Sequence, residues 1–488
     1  MFAITTSSVI TFTQAMPPVS LAPMFPYLMK AFDCTLAQAI QFTGVGILVL
    51  GFSNFLWVPI MSSFGRRPAI ITSQLICLFC CVWRARATSY NSFMGASILN
   101  GIGSGIAETA QGTVIADIFF LHSRGKWNTL FWVANMGALM LAPVISGPMS
   151  KSVGWRNFWW LTAAMTGVGL LMAIFLLPET MWHRPGPSPI NTSPASSEVV
   201  ADEKVAAAME DEYLEGAAAT EKGKVEPVLT RSQDPFLGKG YPSRDQWKLY
   251  QPNANPLGTI WLDLWTPWKL LTFPIIEFSA FIASWSCSCL LALNLTQSQV
   301  FAAPPYKFSS EIIGFTNLAI FGGAVIGLVT AGPLSDFVSA RSTIRNRGIR
   351  EPEMRLPTLI PYVIFMMIGM IVSSVGYQRH WPWEVIVIIG YGCIGIQVAA
   401  LPSIASTYAV DSYKPAAGGA FVAITVNKNL WGWGLSKFVT PWTLKNGFIP
   451  VFMMNMSLTV LWCLMGILFY YKGKTFRRWT RNSNVHLR

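Results

Sequence analysis

Val58-Pro59-Ile60-Met61-Ser62-Ser63-Phe64-Gly65-Arg66-Arg67 closes one long apolar stretch, and Gly332-Pro333-Leu334-Ser335-Asp336-Phe337-Val338-Ser339-Ala340-Arg341 closes another. A proline, then small or polar residues, then a final arginine recur in register, 274 residues apart. Pro26-Tyr27 echoes Pro305-Tyr306 in the same manner. The chain therefore reads as a duplication. Each copy of the decapeptide follows about 20 mostly apolar residues, the length that crosses a hydrocarbon core. The duplicated unit is accordingly a bundle of membrane helices, and its two copies are expected to stand as parallel repeats about an axis along the membrane normal.

Working outward from these two stretches, twelve spans emerge. They cover residues 2–28, 39–60, 68–88, 92–118, 127–149 and 156–177, then 269–295, 311–335, 357–377, 383–405, 416–440 and 449–471. Composition agrees: charged residues make up 12% of the 488, hydrophobic residues 52%, and there are 20 Trp and 31 Phe. A water-soluble protein of this size could not cover its surface with so few charges, and aromatics are favoured where lipid meets headgroup. The expected fold is all-α, twelve transmembrane helices in two six-helix pseudo-symmetric bundles. The first bundle takes residues 1–180 and the second 269–472, with a basic tail at 473–488. Residues 181–268 are polar and rich in Pro, Ala, Ser and Gly, a composition expected to stay largely disordered. They end in Ile260-Trp261-Leu262-Asp263-Leu264-Trp265, where two tryptophans one turn apart suit a helix lying at the membrane surface.

Lys and Arg in the short loops fix the expected orientation. With the first residue placed in the cytosol, the inner loops and tail hold 16 basic residues, among them Arg66, Arg67, Arg124, Lys414 and the cluster Arg341 to Arg355; the outer loops hold eight. Both termini are thus expected in the cytosol, in a plasma membrane or alternatively a vacuolar one. Residues 2–28 lack a basic n-region and run too long for the core of a cleavable signal. Seven of the eight cysteines lie in apolar runs, and neither they nor the four histidines have metal-site spacing. No cofactor, no metal and no enzyme chemistry are expected, and no Walker A motif points to ATP. The expected partners are a small molecule, protons and the bilayer; nucleic acid is not among them, and the chain is read as a monomer.

An ionisable group inside a span costs about 2.5–3.5 kcal/mol on insertion scales, so each needs a partner or a purpose. Glu108 lies mid-way along the fourth span, with Ser104 and Gln111 on the same face if that helix is regular. It reads as a proton or cation site, or as a structural carboxylate. Glu277, near one end of the seventh span, is a weaker proton carrier. Lys428 in the eleventh span either counters Glu108, binds an anionic substrate, or pairs structurally; Asn427 and Trp431 flank it. Gln14 belongs to a polar stripe that precedes Pro17-Pro18, an interruption that either lines a cavity or kinks the helix. Asn294, Gln297 and Gln397 complete the cavity candidates. Asp117, with Arg66 or Arg124 near it, reads as a latch, and Asp336 with Arg341 as its counterpart in the second half. Gly101-x3-Gly105 and Gly323-x3-Gly327 suit close helix packing.

Taken together, several stretches resemble the major facilitator superfamily, in particular its twelve-helix fungal drug:proton antiporter-like branch. They are Phe64-Gly65-Arg66-Arg67-Pro68, Ile115-Ala116-Asp117-Ile118-Phe119-Phe120-Leu121-His122-Ser123-Arg124-Gly125, Pro143-Val144-Ile145-Ser146-Gly147-Pro148, Gly154-Trp155-Arg156, Pro178-Glu179-Thr180 and Pro304-Pro305-Tyr306. The resemblance covers nearly the whole chain outside the central stretch. Pro143 and Gly147 belong to what resembles the antiporter signature of the fifth helix, with Ala142 and Ser146 where glycines are usual. Two positions depart from the family: Ser62 stands for the loop aspartate that helps latch the halves, and Ser97 for the helix-four arginine that assists coupling. The resemblance implies a latch resting on Arg66, Arg67 and Asp117.

The expected function is secondary active export of a drug, toxin or secondary metabolite by proton-coupled alternating access. A nutrient uptake symporter and a transport-inactive nutrient sensor are the alternatives.

Overall fold

A computed structural model describes residues 2–118, 121–180, 247–248, 256–349, 351–413 and 417–480; the side chains of residues 2, 111, 112, 116, 121–132 and 417 lie outside it. The first half holds α1 (Phe2–Val19), α2 (Phe25–Phe32), α3 (Leu36–Phe64), α4 (Arg66–Arg86), α5 (Tyr90–Ser104), α6 (Ala110–Ile118), α7 (Leu121–Met149) and α8 (Trp155–Leu176). After α9 (Pro256–Leu270) come α10 (Pro274–Phe301), α11 (Ser310–Arg345), α12 (Leu359–Arg379), α13 (Gly392–Ser412), α14 (Ala417–Asn446) and α15 (Phe448–Thr480). No strand occurs among the described residues. The spans are α1 with α2, α3, α4, α5 with α6, α7, α8, and then α10 to α15, six in each half. The turns that carry Gly65 and the residues after Arg345 share one end, called here the arginine-rich end; the turns at Asp33, Ala87, Ala302 and His380 lie at the far end.

Among the described residues, eight stretches are long and apolar enough to cross a membrane by length and composition alone, one of them running through α7 and α8. The spans not among them are α1, α5 with α6, and α14. Among these three, α1 and the fourth span are interrupted, and the fourth span and α14 carry Glu108 and Lys428. Behind Pro17 and Pro18, α1 gives way to a 3-10 turn at Ala22–Met24 before α2 resumes. The carbonyls that lose helical partners there are taken up by hydroxyls: Ser146 Oγ donates to Ser20 O (2.7 Å) and Ser298 Oγ to Ala22 O. Side-chain donors must replace water at such a break inside lipid. The fourth span also breaks, into a 3-10 turn at Gly105–Glu108. Trp57 Nε1 caps Ile102 O (2.6 Å) and Ser53 Oγ caps Gly101 O (3.3 Å). This corrects the regular helix expected over 92–118. Ser104 and Glu108 therefore do not share a helical face, and Ser104 lies against the Cys77 thiol instead (3.5 Å).

Three further boundaries move. The surface helix continues through Leu270, and the seventh span opens at Pro274, whose missing N–H is no loss at a helix start. Lys269 therefore belongs to the surface helix, not to the span. At the other end α15 runs to Thr480, so residues 473–480 are helix and not tail. Lys474 pairs with Glu351 (2.5 Å) and Arg477 with Glu353 (2.8 Å), so these cations meet carboxylates of the protein. The stretch expected to be disordered lies, from 181 to 246, outside the described residues.

Glycines let the helices close up within and between the halves. A methyl at Gly323 would stand 2.1 Å from Gly392 O, and one at Gly101 2.8 Å from Gly46 O, so both small-residue motifs pack helices as expected. Between the halves, a methyl at Gly147 of α7 would stand 2.4 Å from Ser310 O of α11, and one at Gly314 2.5 Å from Pro143 O. The second seam joins α3 to α14: a methyl at Gly44 would strike Ser436, and Gln41 Nε2 donates to Ser436 O (3.2 Å). Lys151 and Glu311 pair across the far end (3.0 Å). The two halves thus meet toward the far end along α7–α11 and α3–α14.

Candidate functional site

Below these seams the halves enclose a cavity of about 150 Å³. Its wall comes from α1 (Ala15, Pro18, Val19), α3 (Ile47, Leu50), the break in the fourth span (Ala107, Glu108) and α7 (Asn135, Met136, Leu139). From the second half come α10 (Cys287, Ser288, Leu291, Asn294), α13 (Val398, Pro402, Ser406) and α14 (Ile424, Thr425, Lys428, Asn429). Most of this wall is apolar. Its charge is a single pair: Lys428 Nζ donates to Glu108 Oε1 (2.5 Å), and Asn429 Nδ2 to Glu108 Oε2 (3.1 Å). Their side chains retain 24% and 18% exposure, turned to the cavity. The acid comes from one half and the cation from the other. Gly51 makes room for this: a methyl there would stand 2.5 Å from Asn429 Cβ.

Chemically the pair is neutral as a unit, which is how two charges are tolerated in an apolar wall. A proton delivered to Glu108 would abolish the attraction and leave Lys428 without its counter-ion. A cationic ligand could compete with Lys428 for Glu108, and an anionic one with Glu108 for Lys428.

Of the other cavity candidates, Asn294 lines the wall, and Gln297 lies behind it, donating to Asn294 Oδ1 (3.4 Å) and accepting from Asn317 Nδ2 (3.1 Å). The others turn elsewhere. Gln14 is buried inside its own half, donating to Ser73 Oγ and Gln74 Oε1 (both 2.7 Å). Gln397 clips α13 to α10, accepting from Ser286 Oγ (2.7 Å) and donating to Ser286 O (3.2 Å). Trp431 is 39% exposed and packs on Trp285 (4.9 Å between ring centroids), away from the cavity. Asn427 reaches Glu277 (3.5 Å) and Ser284 (3.5 Å), so Glu277 belongs to a separate polar contact between α10 and α14. The side chains of Gln111 and Arg124 lie outside the described residues. Asn135 and Ser406, which no charge marks in their apolar runs, also reach the cavity and were not legible in the sequence; Ser288, on the face of Glu277 in the sequence, lines it too.

At the arginine-rich end, Arg66 Nε meets Asp117 Oδ2 (3.2 Å). Glu179, quoted in the sequence only as part of Pro178-Glu179-Thr180, is 3% exposed and accepts from the backbone N–H groups of Arg66 (2.9 Å) and Arg67 (3.0 Å). A carboxylate there satisfies the first donors of α4 and faces its positive dipole end. Arg67 itself donates to Ile174 O (2.8 Å), tying α4 to α8. In the second half Asp336 pairs with Arg355 (3.1 Å) and not with Arg341, which is exposed; Arg355 also holds Asp411 (3.1 Å). The correction has a simple cause. Asp336 and Arg341 lie five residues apart on one helix, nearly on opposite faces, whereas Arg355 returns from the following turn. Pro143 and Gly147 lie in the α7–α11 seam and not in the cavity wall.

Among proteins of known sequence, the chain is 25% identical over 485 residues to Protein HOL1 of Saccharomyces cerevisiae, covering 91% of this chain and 82% of that protein. It is 22% identical to the probable efflux pump mfs2 of Aspergillus flavus, over 86% of this chain and 89% of that one. Among solved structures it resembles a D-xylose-proton symporter, with a TM-score of 0.62 at 13% identity over 95% and 96% of the two chains. A partially occluded, inward-open form of the Escherichia coli xylose transporter gives 0.61 at 12% identity, over 96% and 98%. The profile of the Major Facilitator Superfamily matches residues 6–432. The chain belongs to that superfamily: it is a multi-pass membrane transporter of small molecules and not an enzyme.

Proposed function

We propose that this transporter exports small organic molecules in exchange for protons, and that Glu108 with Lys428 is its coupling element. The observation that carries the reading is the ion pair itself, which ties the two halves together inside an otherwise mostly apolar cavity. With Glu108 ionised the pair holds α14 against the break in the fourth span; with Glu108 protonated that tie is gone and the halves are free to rock. Glu277, held by Asn427 in the separate contact between α10 and α14, is a second acid and a weaker candidate for the proton path. Arg66, Arg67, Asp117, Glu179, Asp336 and Arg355 brace each half at the arginine-rich end, with the exposed Arg341 adding positive charge there.

The basic loops support an orientation with the arginine-rich end and both termini toward the cytosol, in the plasma membrane or alternatively a vacuolar one. The far-end seams then make this a state closed toward the outside. Export is supported by the relatives named as efflux pumps, from Aspergillus flavus and Floropilus chiversii.

The test uses the purified transporter in vesicles with a trapped pH dye and an imposed proton gradient. A panel of organic cations, organic acids and neutral drugs is added, with xylose as the sugar control. Export by exchange predicts that at least one class drives protons opposite to its own movement, and that Glu108→Gln abolishes this response. Protons moving in the same direction as the solute would overturn the exchange reading in favour of an uptake symporter.

A further inference from the structure

The α3–α14 seam changes character along its length. From Gln41 and Ser436 through Gly44 to Gly51 and Asn429 the two helices touch each other. Nearer the arginine-rich end, the surface helix α9 takes over contacts with both. Phe55 of α3 stacks on Trp268 (4.9 Å between centroids, 5° between planes), Ser62 Oγ donates to the Asp263 carboxylate, and Ser63 Oγ donates to Pro256 O (3.2 Å). From the opposite side Gly419 of α14 lies beneath Thr266 and Leu270, so closely that a methyl there would stand 2.8 Å from Leu270 Cδ1 and 3.0 Å from Thr266 Cγ2. Thr266 and Leu270 are buried, while Leu257, Trp261, Leu262 and Trp265 turn an apolar face outward, as a helix lying in the headgroup region would. Three residues, Leu271 to Phe273, join α9 to α10, so the helix is tethered to the second half and docked on the first.

We propose that α9 is a wedge that holds the arginine-rich end of the transporter apart, and that Asp263 on Ser62 is its catch. This rests on the alternating-access reading. To open the far end, α3 and α14 must close up at the arginine-rich end, where α9 now lies between them. Its short tether moves it with α10, so its bonds to α3 are the ones that must give. Ser62 and Asp263 are 201 residues apart, and among the bonds described between α9 and α3 theirs involves a charged group. Asp263 is therefore a positioning residue: it selects a state and touches no substrate.

The test reads conformation and needs no substrate. Spin-label pairs at Ile118 with Ile344 report the arginine-rich end, and pairs at Val153 with Ile312 the far end; all four side chains are exposed. In reconstituted full-length protein, Asp263→Ala is expected to raise the population with a short Ile118–Ile344 distance and a long Val153–Ile312 distance by about tenfold, the scale of one hydrogen bond to a charged group. Ser62→Ala should do the same, and the double variant should add nothing further. Asp263→Asn, which can still accept from Ser62 but carries no charge, should fall between wild type and Asp263→Ala. Gly419→Leu, which pushes on α9 from α14, should shift both distances in the same sense. If Asp263→Ala and Ser62→Ala leave both distributions unchanged in a protein that does sample two states, the wedge is wrong and alternating access survives. If no second state appears in any variant, alternating access itself is wrong and the wedge falls with it.

Discussion

Glu108 and Lys428 lie 320 residues apart in the chain and meet at 2.5 Å across the line between the two halves. Neither contact is local, so the bond exists only while the halves are apposed. A device of this kind can register the relative position of the halves, and neutralising the acid removes it. Breaking such a pair by removing one member leaves the other charge stranded in an apolar wall, a cost of about 3 kcal/mol for a pair still partly open to a cavity.

Glu108→Gln and Lys428→Met should each lower the melting temperature and abolish proton-coupled flux. The double variant, which leaves no stranded charge, should recover most of the thermal stability but none of the coupling. Stability and coupling are read by a thermal melt in detergent and by vesicle flux. A double variant that transports with full coupling would remove the pair from the mechanism.

The α7–α11 seam gives a second prediction. Gly147 and Gly314 pass so close to Pro143 and Ser310 that any side chain would prise the far end open. Gly147→Leu should therefore insert normally and yet lose transport by roughly tenfold or more, since a misfit of one side chain in a packed interface costs about 1–3 kcal/mol. Gly147→Ala should be milder. Cysteine-accessibility labelling from the far side should rise in parallel. Unchanged flux in Gly147→Leu would mean that this seam is not a closing surface.

Much of the architecture was legible because the hydrocarbon core imposes one length on every span, and the duplication could be read from the two decapeptides. The charges were legible one at a time: Glu108 and Lys428 stand out in apolar runs because lipid makes each expensive. Their pairing with each other was one of several options, since it depends on how two distant helices approach. The break at Gly105–Glu108 had no proline to announce it. Gln14 shows a deeper limit. A polar residue on a membrane helix is satisfied equally well by a cavity or by neighbours in its own bundle, and Ser73 with Gln74 supplied the second solution. Asp263 sits in a surface helix whose tryptophans were readable, but its bond to Ser62 spans 201 residues and has no local signature.

Arg355 distinguishes the pairing read from the sequence from the one that forms. It holds Asp336 and Asp411 together, whereas Arg341 points to solvent. Arg355→Ala should lower stability by about 1–2 kcal/mol, a modest figure because Asp336 is largely exposed and charged hydrogen bonds weaken in water. Arg341→Ala should change the melting temperature by no more than a surface substitution does. Equal losses in the two variants would restore Arg341 to the latch.

Glu179 offers the last and sharpest structural test. Its carboxylate accepts from two backbone N–H groups at the start of α4 and is 3% exposed, so those donors have no ready alternative. Glu179→Ala would leave them unmet in a buried turn, at a cost of about 1–3 kcal/mol. Glu179→Gln keeps one acceptor oxygen but loses the charge that favours the helix start. Thermal melts in detergent should therefore rank the three proteins wild type, Gln, then Ala. The Arg66–Asp117 ion pair lies at the same turn, and fraying of α4 should loosen it. Asp117→Asn should then destabilise the wild type more than it destabilises Glu179→Ala. Full additivity of those two substitutions would show that the cap and the ion pair act independently, and that Glu179 does no more than satisfy its own turn.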